Sequence, residues 1–145
     1  MQQRNYRYDS GKYQTHWLLL QEVPPNSRVL EIGTASGYMG EYLINEKNCE
    51  VLGVEPVKEL YEDAKNYGYT KLFYNTAEDF INLPEMAGQE FDVIFCGDVF
   101  EHMVDPLKVI ISLKKFLKPT GRFVFSLPNV AHYSMRWELL AGRWD

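Results

Sequence analysis

The stretch that most constrains the fold is residues 28–43, which read RVLEIGTASGYMGEYL. It opens with a short apolar run, Val29-Leu30-Glu31-Ile32, preceded by the polar turn Pro24-Pro25-Asn26-Ser27. That is the pattern of a buried parallel strand. Gly33-Thr34-Ala35-Ser36-Gly37 then breaks the run, and Tyr38-Met39-Gly40-Glu41-Tyr42-Leu43 resumes with helical spacing of its apolar residues. A strand, a small-residue turn and a helix N-terminus in that order make a backbone cradle. Its unpaired N–H groups point outward, and nothing bulky blocks a ligand's approach. A tight turn that holds no ligand is the other reading of this stretch taken alone.

Spacing narrows the ligand. A dinucleotide fingerprint G-x-G-x-x-G/A starting at Gly33 would place its third small residue at Tyr38, which would push the helix away from the strand. A Walker-type phosphate loop closes on G-K-[ST], a tripeptide this sequence lacks. What fits is E-x-G-x-x-x-G, with Glu31 on the strand two residues before Gly33. This resembles motif I of the class I S-adenosylmethionine (SAM) dependent methyltransferases. The resemblance implies that Glu31 sits near the amino-acid end of SAM and that Gly33, Thr34, Ala35, Ser36 and Gly37 bring the backbone against it. Ala35 departs from the commonest form, which has a middle glycine there.

The next acidic position strengthens the resemblance. Residues 49–54 read as a second strand ending in Glu55-Pro56. A carboxylate there, roughly twenty residues beyond the glycine turn, is placed to bind a ribose hydroxyl pair. It accepts from both vicinal hydroxyls at once; the other reading is a solvated strand-end charge. Pro56 pre-sets φ for a helix expected over residues 57–67, and Gly68 is placed to end it. Residues 71–74 form a short third strand. Thr76, Ala77, Glu78 and Asp79 then resemble the family's loop beside the adenine, where members often carry an aspartate at the place of Thr76. The Ala77 backbone and the Glu78 or Asp79 carboxylate become the candidates, with an acid-rich helix N-terminus as the alternative.

Residues 91–96 form the fourth strand and run into Gly97-Asp98-Val99-Phe100-Glu101-His102-Met103-Val104-Asp105-Pro106. This resembles the family's segment after strand four, with its E-H pair and D-P step, and implies that Gly97 and Asp98 floor the site beside the sulfonium. A helix is expected over residues 106–117, with Leu107, Ile110, Ile111 and Leu113 as its apolar face. Lys118-Pro119-Thr120-Gly121 reads as a turn, residues 122–127 as strand five and residues 131–141 as a helix carrying His132, Arg136 and Trp137. At the other end, residues 1–11 are polar, tyrosine-rich and without period, and are expected to be flexible. Tyr13, His16, Trp17 and Leu20 then fall at helical spacing. That helix is expected to lie across the sheet or over the cofactor mouth, with His16 a surface or boundary residue.

Alternating strands and helices give a parallel, doubly wound sheet. The resemblance implies a Rossmann-like α/β fold with strand order 3-2-1-4-5 in one SAM-binding domain over residues 1–145. The family usually adds an antiparallel hairpin beside strand five. Here no sequence follows the last helix to supply it, so a C-terminally truncated piece of a longer methyltransferase is expected. The other reading is a homodimer in which a second copy completes the sheet at the uncovered edge of strand five.

The expected function is methyl transfer from SAM to a small-molecule acceptor, most simply an oxygen of a quinone precursor or a sugar. A SAM-binding domain without turnover and an NAD-linked oxidoreductase are the other readings. His102 and His132 are the candidate bases, each also readable as a structural imidazole. Asp98, Glu101 and His102 resemble a metal-associated E-x-x-E-H run of some quinone-pathway enzymes, yet loop-fixing roles are preferred and no metal is assigned. The net charge of −5 argues against a broad nucleic-acid footprint. The [DN]-P-P-[YF] signature of base methylation is absent after strand four, so nucleic acid is not an expected partner. No long apolar run suggests a membrane span. The two cysteines, Cys49 and Cys96, lack C-x-x-C spacing, so buried free thiols and a cytoplasmic location are expected.

Overall fold

The computed structural model describes residues 15–129 and 131–143. The expectation for residues 1–11 lies outside the described residues. Five strands, β1 (Arg28–Ile32), β2 (Glu50–Val54), β3 (Lys71–Phe73), β4 (Phe91–Cys96) and β5 (Leu117–Phe125), form one sheet in the order β3-β2-β1-β4-β5. All four pairings are parallel. The helices are α1 (Thr15–Gln21), α2 (Tyr38–Asn45), α3 (Lys58–Ala64), α4 (Ala77–Phe80), α5 (Pro106–Leu113) and α6 (Tyr133–Leu140). This is the Rossmann-like order expected from the sequence. No antiparallel hairpin occurs among the described residues.

The strands read as continuous apolar runs because both faces of the sheet are covered. Alternate residues point to opposite sides. Leu30, Ile32, Leu52, Val54 and Ile94 pack on one face with Phe80, Val109, Leu113 and Phe116. Val29, Val51, Val93, Phe95 and Val124 pack on the other with Leu19, Leu20, Met39 and Leu43. Phe80 is fully buried with its ring centroid 5.0 Å from that of Phe73. Truncating it to alanine would cost about 3–5 kcal/mol. Cys49 and Cys96 are free and buried.

Three local expectations are corrected. Helix α3 starts one residue later, with Val57 as its N-cap, so Pro56 lies before the cap rather than in the first turn. Its last turn tightens to a 3-10 turn at Lys65–Tyr67 before Gly68 reverses the chain at φ 77°. In α5, Leu107 and Ile111 are exposed, whereas Val109 and Leu113 are buried. The Asp105 carboxylate accepts from the Lys108 N–H at 3.0 Å, with Pro106 as the first helical residue, and this cap sets the phase. Leu107 and Ile111 each sit two residues from the buried pair, about 200° around the helix.

The expected turn at residues 118–121 lies inside β5. Phe91 pairs with Leu117 and Val93 with Arg122, so β4 advances two residues while β5 advances five. The extra residues bow out as a bulge. Gly121 permits it, since a Cβ there would stand 3.0 Å from the Phe91 carbonyl. Lys118 Nζ donates to Asp92 Oδ1 at 2.8 Å and ties the bulge to β4.

Candidate functional site

In an open parallel sheet, ligands bind beyond the carboxyl ends of the strands, where successive connections leave in opposite directions. Here that point lies between β1 and β4. A cavity of about 720 Å³ opens there, within the range of small-molecule sites. Its wall is built from the segments that follow four strands and from one residue of α1.

The glycine turn comes first. Gly33 N–H donates to the Val54 carbonyl at 2.8 Å, which carries the β1–β2 ladder one step past the strand end. The chain then passes through left-handed conformations at Gly33 (φ 76°), Ala35 (φ 48°) and Gly37 (φ 94°). Glycine is needed at the first of these for a second reason: a Cβ on Gly33 would lie 2.5 Å from Val99 Cγ2. Ala35 takes up the strained conformation that the commonest motif gives to glycine. The Glu55 carboxylate crosses to this turn, accepting from the Ala35 N–H at 2.8 Å and from the Val57 N–H at 2.9 Å. It thereby clamps the turn to the start of α3. Burial pushes its carboxyl up, and these two backbone donors oppose the shift.

Beneath the turn lies Glu31, fully buried on β1. The Tyr69 hydroxyl donates to its Oε2 at 2.7 Å, and Oε1 has no partner among the described residues. Burial pushes the Glu31 carboxyl up to about 8; the Tyr69 bond lowers it and the Glu55 charge raises it. Burial and the neighbouring Glu31 also push the Tyr69 phenol up. Gly40 makes room for the pair, since a Cβ there would meet Tyr69 Oη at 2.0 Å and Glu31 Oε2 at 2.7 Å.

The opposite wall follows β4. Asp98 sits at φ 52°. Its N–H donates to Ser126 Oγ at 2.8 Å, and the Ser126 hydroxyl donates back to Asp98 Oδ1. Asp98 Oδ2 pairs with His16 Nε2 at 2.9 Å, and His16 Nδ1 meets the Tyr38 hydroxyl at 3.1 Å. Burial alone would raise the Asp98 carboxyl. The bonds from Ser126 and His16, with the nearby His16 and His102, outweigh it and hold the carboxyl below the usual range.

The strand, left-handed glycine turn and acidic clamp sit on a sheet ordered 3-2-1-4-5, and the sequence matches a methyltransferase-domain family over residues 3–145. The chain belongs to that methyltransferase-domain family. A ubiquinone biosynthesis O-methyltransferase of Actinobacillus pleuropneumoniae is 34% identical over 108 residues, covering 70% of this chain and 46% of that protein. Its namesake in Vibrio campbellii is 36% identical over 107 residues, covering 70% and 44%. The chain thus spans about half the length of the curated relatives it matches. Among solved structures, a SAM-dependent methyltransferase of Thermotoga maritima is 22% identical with a TM-score of 0.67, covering 86% of this chain and 56% of that one. The plantazolicin methyltransferase, solved with SAH, gives 19% and 0.56, covering 71% and 38%. At these identities the two structures share the fold of this methyltransferase domain.

The residues singled out from the sequence are brought together unevenly. Gly33, Ala35, Glu55, Pro56 and Thr76 line the cavity, as do Ala77, Glu78, Gly97, Asp98 and His102. Thr34, Ser36 and Gly37 belong to the same turn and Glu31 to the strand before it, but none of the four is on the cavity wall. Thr76 also caps α4, its Oγ1 accepting from the Asp79 N–H at 3.1 Å. His132 is exposed beside Tyr133, ring centroids 4.5 Å apart, and is not on the wall. Among the described residues no group of three His, Cys, Asp or Glu could hold a metal, and no helix is long and apolar enough to cross a membrane.

Some residues in or behind the wall carry no signal in the sequence. Tyr38 was weighed only as an obstacle to a dinucleotide, yet it lines the cavity from the first residue of α2. His16 is a partly exposed boundary residue, but its partner Asp98 is 82 residues away. Nothing local to either residue signals that contact. Tyr69 carries no signal either, because it acts through Glu31 from the segment before β3.

Proposed function

We propose that this cavity binds S-adenosylmethionine and that the chain is a SAM-dependent methyltransferase acting on a hydroxyl of a small molecule. The observation that carries the reading is the Glu55 carboxylate, held against the glycine turn by the Ala35 N–H and facing the cavity. Each of its oxygens keeps a second acceptor site, which suits a vicinal diol. The fit extends to the rest of the group. Gly33 and Gly97 both line the cavity, and the packing of Val99 and Met39 against them leaves no room for a Cβ at either position. The buried Oε1 of Glu31 has no partner among the described residues, and the resemblance would put this carboxyl near the amino-acid end. Thr76, Ala77 and Glu78 would flank the adenine, and Gly97 and Asp98 would floor the sulfonium.

SAM supplies an activated methyl group when bound. The protein's task is to align the acceptor, exclude water and take the acceptor's proton. The O-methyltransferase names of the 34–36% identical relatives support oxygen as the acceptor atom. The quinone-precursor or sugar class extends that reading, with the cytoplasm as its setting. Calorimetric titration with SAM, its demethylated product SAH and NAD in parallel tests the proposal. SAM and SAH should bind and NAD should not. Binding of NAD alone would replace methyl transfer by hydride transfer, and SAM binding without turnover on any hydroxyl acceptor would leave a binding domain.

A further inference from the structure

We propose that His16, oriented by Asp98, is the general base that takes the proton from the acceptor hydroxyl. This rests on the methyltransferase reading above. His16 comes from α1, outside the sheet, yet its ring reaches the cavity wall that Gly97 and Asp98 form. Both ring nitrogens are engaged, and this fixes their roles. Asp98 is held in its ionised form by Ser126 and His16, so it can only accept. His16 Nε2 therefore carries the hydrogen and donates to Oδ2 at 2.9 Å. In the neutral ring this leaves the lone pair on Nδ1, 3.1 Å from the Tyr38 hydroxyl, which can donate to it.

A phenol hydroxyl on Nδ1 marks where an acceptor hydroxyl can dock. Tyr38 lines the same cavity, so an incoming hydroxyl that displaces it meets a base with its tautomer already set. The acceptor's O–H bond then breaks, an N–H bond forms at Nδ1, and the electron pair stays on oxygen as the nucleophile. The imidazolium so formed lies against the Asp98 carboxylate; Tyr38 touches the ring, His102 lies near the same carboxylate, and Glu55 and Glu78 line the same cavity. The His16 side chain is 31% exposed, so the proton can leave to solvent. Asp98 is a positioning residue in this scheme. Its left-handed backbone and its two-way bond to Ser126 keep the carboxylate aimed at the ring.

The test uses 4-nitrocatechol, whose absorbance separates phenol from phenolate, added to the full chain saturated with SAH so that no turnover occurs. SAH binding is checked first by calorimetry. If SAH does not bind, the methyltransferase reading fails; if it binds, the remaining outcomes bear on His16 alone. In the parent, the bound phenol should ionise at a pH about one unit below that of the free phenol, about tenfold in its ionisation constant. In His16→Asn and His16→Gln, which keep a polar side chain without a base, that shift should vanish. The same shift in both variants, or no uptake of nitrocatechol by the SAH-bound parent, would overturn the proposal. Turnover gives an independent readout. His16→Asn should lose roughly 10²–10⁴-fold with catechol, the usual contribution of a general base, and much less with the more acidic nitrocatechol. Equal losses on the two acceptors would make His16 a structural residue.

Discussion

Replacing Glu31 with glutamine should flatten the fall of stability with pH between about 4.5 and 8. Glu31 is fully buried; the Tyr69 hydroxyl donates to its Oε2 at 2.7 Å, and Oε1 has no partner among the described residues. Burial, partly offset by that bond and reinforced by Glu55, pushes the folded carboxyl from 4.5 up to about 8. Within this window the folded chain holds a proton that the unfolded chain has released. The unfolded state therefore binds fewer protons, and stability falls as pH rises, by up to about 1.4 kcal/mol per unit. Below the window both states are protonated, and above it both are ionised, so the slope disappears at each end. Glutamine preserves the shape and the acceptor oxygen facing Tyr69 but cannot ionise. Urea denaturation of parent and variant at a series of pH values from roughly 5 to 8 tests this. The variant's advantage should grow steadily with pH at an unchanged m-value. Two curves that decline in parallel would refute the assignment of the slope to Glu31.

Other outcomes follow from the same geometry. Tyr69→Phe removes the hydroxyl that donates to Glu31 Oε2 and should cost about 1–3 kcal/mol in thermal or urea unfolding, with the Glu31 ionisation moving further up. Ala35→Gly relieves a left-handed alanine at φ 48° and should stabilise the fold by up to about 1 kcal/mol, read from the denaturation midpoint. The outer edge of β5 has no neighbour among the described residues, and Phe125 and Leu127 are exposed beside it. Sedimentation should therefore show concentration-dependent self-association, weakened in Leu127→Lys. A monomer at every concentration would reject pairing through that edge.

How much of this was legible in the sequence depends on the range of the interactions involved. The strands of the sheet were readable because burial on both faces forces continuous apolar runs between turn residues, as in residues 91–96, which are strand in full. The place of Glu55 on the cavity wall was readable because it directly follows β2. The phase of α5 was not, because a single cap at Asp105 decides whether Leu107 or Val109 faces the sheet, and both are apolar. The turn chemistry of Lys118-Pro119-Thr120-Gly121 was recognised, but a bulge against β4 absorbs it within the strand. The His16–Asp98 and Tyr69–Glu31 contacts join residues 82 and 38 positions apart. Only the folded arrangement of the sheet ends brings them together, so no local pattern announces them.

The measurement that bears most directly on cofactor recognition is the SAM dissociation constant of the parent against that of Glu55→Ala, by calorimetry, with circular dichroism confirming that the variant is folded. Glu55 accepts from the turn at Ala35 and from the start of α3 at Val57, and its remaining acceptor sites face the cavity. Loss of a hydrogen bond to a charged group should weaken binding by roughly 1.5–3 kcal/mol, a factor of about 10 to 150 in Kd. A folded Glu55→Ala variant that binds SAM as tightly as the parent would contradict the placement of the ribose at Glu55.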